Sequence, residues 1–230
     1  MSDINRPTAE ISADVTLLLD ALAEGGTGIV PLDVAYAICA SREVGIRAIF
    51  TAKQRSYEKP SGLLADVSMS RAIHQLEEWQ HDLAASIVQE DKLPFSVVAP
   101  FDASHPFFAG VDPFVMQSST KVGTLDMLLN AGSFHDEIAR QSWARGQPVF
   151  GSSANASLTG SKYRYGDVDD AVRAAASIYF DYGEVRYANP AGRSSTIIDF
   201  TNWHVIREGV VFDAVDAAFA RHGVSLVRAV

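Results

Sequence analysis

Residues 194–209 read SSTIIDFTNWHVIREG, and this stretch decides the fold class. Ser195 to Phe200 and His204 to Arg207 carry β-branched and aromatic residues, which predicts two β segments separated by the turn Thr201-Asn202. A hairpin this late breaks the strict strand–helix–strand rhythm of a parallel α/β protein. The expectation is an α+β (mixed α/β) fold, a twisted mixed sheet with helices packed on it.

Outward from the hairpin, a helix is predicted at about Phe212 to Arg221, ending at Gly223. Upstream, Asp167 to Ala176 reads as helix and Ser177 to Phe180 as strand. A strand at Pro148 to Gly151 runs into the turn-rich GSSANASLTGSKYRYG, and helices are predicted at Gly123 to Asn130 and Phe134 to Arg145. The Pro- and Phe-rich stretch from Pro100 to Pro113 reads as an ordered loop. Before it stand a strand at Ser96 to Ala99, a long amphipathic helix at about Met69 to Val88 and a strand at Leu63 to Val67. Nearer the N-terminus, a helix at Ser41 to Lys53 uses Val44, Ala48, Ile49 and Ala52 as its apolar face. A strand at Thr27 to Pro31 precedes it. A first helix, capped by Ser12, carries Val15, Leu18, Leu19 and Leu22 at helical spacing and stops at Gly25-Gly26. No repeat or linker divides residues 1–230, which predicts one domain.

Composition narrows the function. The chain has 19 Lys and Arg against 28 Asp and Glu, a formal charge of −9. Such a surface repels phosphate backbones, which argues against general nucleic-acid binding, although a local basic pocket still binds one anion. Cys39 is the lone cysteine, so an internal disulfide and a multi-thiolate metal site are excluded, and it reads as a small buried hydrophobe. The start MSDINRPTAEISAD lacks a basic region followed by an apolar run, and no stretch has ~18 uninterrupted apolar residues. A cytoplasmic protein away from membranes is the expectation.

Four stretches offer chemistry. Lys53, Arg55 and Lys59 cluster at a helix end with Glu58 opposing, as an anion site or as a solvated helix end. Gly151-Ser152-Ser153-Ala154-Asn155 follows a strand, as a nest of N–H and hydroxyl donors or as a polar turn. A serine nucleophile there is disfavoured, because Asn155 stands where G-x-S-x-G needs glycine. Ser194 to Asp199 with Arg207-Glu208-Gly209 places hydroxyls and an arginine at one sheet edge. Pro31 to Tyr36 puts a carboxylate and a phenol after an apolar strand. No metal ligands are assigned: His74 and His81 share a face of the predicted helix without a third partner, and His105, His135, His204 and His222 lack metal spacing. Trp79, Trp143 and Trp203 read as core or core-edge residues, and Phe101, Phe107, Phe108 and Phe114 as loop anchors.

In this order the stretches resemble the YrdC-like family, best known for threonylcarbamoyl-adenylate synthesis in tRNA modification. The resemblance rests on Gly25-Gly26, Pro31-x-Asp33-x-x-Tyr36, Lys53-x-Arg55, Lys59-Pro60, Ser153-x-Asn155, Ser195-Thr196-Ile197-Ile198-Asp199 and Arg207-x-Gly209. It spans about Gly25 to Gly209 and is weak between Leu93 and Gln147. It implies an ATP-dependent nucleotidyltransferase, with Lys53 and Arg55 as catalytic residues. Lys53, Arg55, Ser153 and Asn155 would hold the phosphates, with Lys59 and Arg207 as further nucleotide contacts. An acceptor pocket of Asp33, Val34, Tyr36, Leu64 and Ser195 is implied, as are ATP and a magnesium ion held mainly by phosphates. Replacing Lys53 or Arg55 by alanine is expected to abolish nucleotide binding without unfolding the chain.

The chain departs from the family around the acceptor. Both threonines of P-T-D-T are replaced, by Leu32 and Val34. Ser61-Gly62-Leu63-Leu64 lacks the usual histidine, and the G-P-x-T and R-x-P segments are not recognisable. Losing these donors disfavours a zwitterion's carboxylate, so the acceptor is expected to differ from threonine, in a pocket that is more apolar or rebuilt by the loop Pro100 to Gln117. Carbamoyl transfer, a non-catalytic nucleotide-binding member, and a tRNA or double-stranded RNA module are the alternatives. A tRNA-modification protein is a further partner the family implies.

Overall fold

The computed structural model describes residues 7–54 and 59–228. Among them the chain forms α1 (Thr8–Ala23), β1 (Gly28–Leu32), β2 (Ala35–Ala40), α2 (Glu43–Lys53), β3 (Gly62–Leu64), α3 (Val67–Ile73), α4 (Glu78–Gln89) and β4 (Phe95–Pro100). Then follow α5 (Pro113–Ser119), β5 (Thr120–Lys121), β6 (Thr124–Leu129), α6 (Ser133–Arg145), β7 (Phe150–Ser153), α7 (Asp170–Ala174), β8 (Ile178–Tyr179), β9 (Ile197–Asp199), β10 (His204–Arg207) and α8 (Phe212–Arg221). The strands join one mixed sheet in the order β10-β9-β4-β6-β3-β7-β2-β1-β8, with β5 on β6. This is an α+β fold. Among the described residues no helix is long and apolar enough to cross a membrane.

The buried side chains divide into two clusters. One joins Ile46, Ile49 and Phe50 of α2 to Met69, Ile87, Phe95 and Phe219. The other joins Leu18 and Leu22 of α1 to Ile138 of α6, Val30, Cys39 and Leu64. Strand β2 separates them: Tyr36, Ile38 and Ala40 pack in the first, Ala37 and Cys39 in the second. Buried on both faces, AYAICA shows no polar alternation, and the sequence reading therefore missed it as a strand.

The late hairpin forms as expected. β9 and β10 pair antiparallel with an irregularity between Val205 and Arg207, and β9 runs parallel to β4.

Other expectations are corrected. Gly123 to Asn130 is not a helix: Thr124–Leu129 is β6, hydrogen-bonded to β3, β4 and β5, and only its Leu125, Met127 and Leu129 are fully buried. Sheet pairing overrides the helical propensity of TLDMLL. The predicted helix from Met69 to Val88 is broken, with His74 extended at ψ 137° and bridged to Phe101. Glu77 and Gln80 start α4 with a capping box. His74 and His81 thus sit on separate elements. Val67 opens α3 instead of ending a strand, because Asp66 caps the Met69 N–H at 2.8 Å. The first helix starts at Thr8 after Pro7, and Ser12 lies inside it, its carbonyl accepting from Thr16 Oγ1 and Gln141 Nε2. On α2 the buried face is Ile46, Ile49 and Phe50, while Val44 is exposed.

Candidate functional site

A cavity of about 290 Å³ opens on the sheet, and its wall residues Leu32, Val34, Ala37 and Leu64 belong to the cluster that includes α1 and α6. Its floor is made of small residues. Gly62 of β3 pairs with Gly151 of β7, and Ala37 of β2 pairs with Ser153. A Cβ on Gly62 would lie 3.2 Å from Asp126 Oδ2, and one on Gly151 3.4 Å from Cys39 Cβ. Side chains there would fill the hollow.

Lys53, Lys59, Ser153, Asn155 and Arg207 all line this cavity, as do Val34, Tyr36, Leu64 and Ser195. Arg55 lies outside the described residues. Asp33 is not among the lining residues. Its backbone N–H donates to Ala131 O at 2.7 Å, and its carboxylate packs against Gly132 with Arg186 3.8 Å away. Burial raises its pKa and Arg186 opposes the shift. Asp33 therefore anchors the β1–β2 turn to the segment leading into α6.

Lys53 ends α2, where the helix dipole favours a cation. Its side chain is 2% exposed, and Nζ donates to the carbonyls of Ser153 and, at 2.6 Å, Asn155. The Lys53 carbonyl in turn accepts from Ser157 N at 3.0 Å and Ser157 Oγ at 2.9 Å. The lysine thus fastens the helix end to the turn after β7.

Asn155 Nδ2 donates to Ala156 O at 2.6 Å, while its buried Oδ1 has no hydrogen-bond partner among the described residues. Asp169 steadies the following loop by accepting from Ala156 N at 2.8 Å, which holds its carboxyl below the usual range. At the rim of the same loop Leu158 is exposed with φ +70°.

The opposite wall comes from the late hairpin. Arg207 donates through Nε to Ser195 O and through Nη2 to Ser195 Oγ, both at 2.9 Å. Arg207 is exposed as a residue, yet protein crowds its guanidinium: burial lowers its pKa and the Asp126 carboxylate pulls the other way. Gly209 permits this arrangement, since a Cβ there would lie 2.2 Å from Ser195 C and 2.3 Å from Ser194 O. Its N–H donates to Thr196 Oγ1 at 3.1 Å, and Thr196 Oγ1 donates to Val210 O. The Arg-x-Gly spacing is thereby explained: arginine reaches Ser195 while the chain two residues later touches the strand that carries it.

Tyr36 reaches the cavity, but its hydroxyl is fixed elsewhere, 2.9 Å from Gly183 O and accepting from Tyr182 N at 3.1 Å. Burial raises its pKa, so the phenol stays protonated. Leu32, Val34, Leu64 and Leu128 form an apolar side. Sequence reasoning missed Asp126 and Leu128, which alternate onto the cavity face of a strand misread as helix, and Ser96, whose Oγ lies 3.4 Å from Ser195 Oγ. Period-two burial in TLDMLL was the available signal.

Comparison with solved structures finds this fold repeatedly. A hypothetical protein of Streptococcus mutans, smu.1377c, aligns with TM-score 0.74 at 18% identity, covering 96% of this chain and 93% of its own. P. abyssi Sua5 complexed with L-threonine aligns with TM-score 0.69 at 19% identity, covering 97% of this chain and 63% of its own. Full-length HypF in its phosphate- and nucleotide-bound form aligns with TM-score 0.59 at 14% identity, covering 81% of this chain and 27% of its own. This chain thus spans less than two thirds of the Sua5 and HypF proteins, and at such identities the likeness is one of fold. Comparison with curated protein sequences finds no match. The Sua5/YciO/YrdC family model, described as telomere recombination, matches residues 20–209. That match covers most of the chain, and the protein belongs to the Sua5/YciO/YrdC family.

Proposed function

We propose that the cavity binds ATP and that the chain forms a carbamoyl-type adenylate from ATP, bicarbonate and an amine other than threonine. The observation that carries this reading is the convergence of Lys59, Arg207, Ser153 and Asn155 on one hollow beside an apolar wall. Cations and hydroxyls there suit a triphosphate. P. abyssi Sua5 was solved with L-threonine and full-length HypF with phosphate and nucleotide, and a small-molecule ligand for this chain is in keeping with both.

In the proposed reaction the amine adds to bicarbonate, giving a carbamate and water. A carbamate oxygen then attacks the α-phosphorus, the bond from that phosphorus to the bridging oxygen breaks, and pyrophosphate leaves. No side-chain nucleophile is required. Arg207 and Lys59 offset the developing charge, and the fixed Ser153–Asn155 turn orients the nucleotide. Among the described residues no three His, Cys, Asp or Glu side chains converge, so a magnesium ion fits as a companion of the phosphates, supplying charge neutralisation.

The test is pyrophosphate release from ATP with magnesium, bicarbonate and a panel of amines and amino acids. Release that needs both bicarbonate and an amine is expected. ATP bound without any release would instead identify a non-catalytic nucleotide-binding member.

A further inference from the structure

We infer that the acceptor is a monoamine whose one substituent is a short hydrocarbon chain, seated on Leu64 and Leu128; the inference rests on the adenylate reading of the cavity. Five residues lining the cavity stand side by side across five strands. Arg207 of β10 pairs with Ile197 of β9, Ile197 with Ser96 of β4, Ser96 with Leu128 of β6, and Leu128 with Leu64 of β3. At about 4.8 Å per strand the row runs roughly 19 Å from a cation to a pair of leucines, with a hydroxyl between them. Polarity in the cavity is therefore graded along one axis.

The leucine end suits hydrocarbon. Leu32 and Val34 close it beside Leu64, all three buried in the cluster that holds α1 and α6, and Leu128 packs against that cluster. The nearby charges act on one another instead: Asp126 lies two residues before Leu128, and its carboxylate and the Arg207 guanidinium interact electrostatically. A hydroxyl or charge on the part of the acceptor lying over the leucines would lose its water without gaining a partner from them. A hydrocarbon chain gains from the same burial. The wall also serves the chemistry, because apolar surroundings disfavour an ammonium and it is the neutral amine whose lone pair adds to bicarbonate. With the chain on the leucines, the nitrogen lies toward Ser96 and Arg207, where the negative charge of the carbamate is met.

The experiment measures the dissociation constants of ethylamine, n-propylamine, n-butylamine, ethanolamine and L-threonine for the whole chain by ligand-observed NMR, with and without α,β-methylene-ATP and magnesium. Affinity is expected to rise about fourfold per methylene from ethylamine to n-butylamine. Ethanolamine, which carries a hydroxyl where n-propylamine has its methyl group, should bind about fivefold more weakly than n-propylamine, with L-threonine weakest of all. Leu128→Thr, at a half-buried strand position and checked by circular dichroism, should flatten the series to about twofold or less per methylene. A flat series in the parent protein, ethanolamine or L-threonine binding as tightly as n-butylamine, or an unchanged slope in the folded variant would overturn the inference, as would nucleotide binding with no amine bound. Should the variant unfold, the ranking in the parent protein decides. Chain-length-dependent amine binding in a protein that binds no nucleotide would overturn the adenylate reading and leave the apolar subsite standing.

Discussion

Replacing Lys53 by methionine should loosen the fold as well as the site. The methionine keeps most of the buried stem but removes an ammonium that donates to two carbonyls. Hydrogen bonds from a charged group contribute roughly 1.5–3 kcal/mol each, so the gross loss is about 3 to 6 kcal/mol. Relief from burying the charge offsets part of this, and a net destabilisation of about 2 to 4 kcal/mol follows. With a urea slope of about 3 kcal/mol/M, the unfolding midpoint should fall by about 1 M. The exposed Lys59 lines the same cavity, and Lys59→Met should weaken nucleotide binding. Equilibrium unfolding in urea, followed by tryptophan fluorescence, measures the Lys53 variant. If Lys53→Met unfolds at the parent's midpoint, the structural role assigned to this lysine is wrong.

Gly209→Ala drives a Cβ into the backbone of Ser194 and Ser195, which cannot rotate aside. A loss of about 3 kcal/mol is expected, lowering Tm by about 10 °C, and calorimetry showing Tm within about 2 °C would contradict the close approach. His74 is buried, paired with Ser70 Oγ and Leu125 O, and burial lowers its pKa from 6.5 to about 4. The unfolded chain therefore takes up a proton that the folded chain refuses, and this contribution to stability is lost as pH falls from 6.5 toward 4. Between pH 7 and pH 5 the loss from this group is about 2 kcal/mol, seen as a drop in urea midpoint that His74→Gln should lack. An equal pH slope in both proteins would count against the buried neutral imidazole.

Much of the framework was legible because local chemistry and tertiary packing agree there. The hairpin of β9 and β10 announces itself through STIIDF and HVIR, and α6, α8 and α2 lie near their expected bounds. The residues brought to the cavity were legible through short stretches such as Ser153-x-Asn155 and Arg207-x-Gly209, whose geometry fixes each letter. Context decided the rest. β2 is buried on both faces and so shows no alternation, and β6 has a helix former's composition held flat by its neighbours. Asp126 was lost with β6, since a residue assigned to the wrong period is assigned to the wrong face. Asp33 shows the converse: it lies beside cavity residues in sequence, yet the β1–β2 turn directs it to the start of α6. That two main-chain carbonyls receive the Lys53 ammonium was not legible, because the partners lie about a hundred residues away in sequence.

The most direct measurement is equilibrium titration of the chain with ATP and magnesium, repeated for Arg207→Gln. Saturable binding of one ATP per chain is predicted, weakened at least tenfold by the substitution under conditions where circular dichroism shows the variant folded. No heat or spectral change up to millimolar ATP, or identical affinity in the Arg207 variant, would contradict a nucleotide site in this cavity.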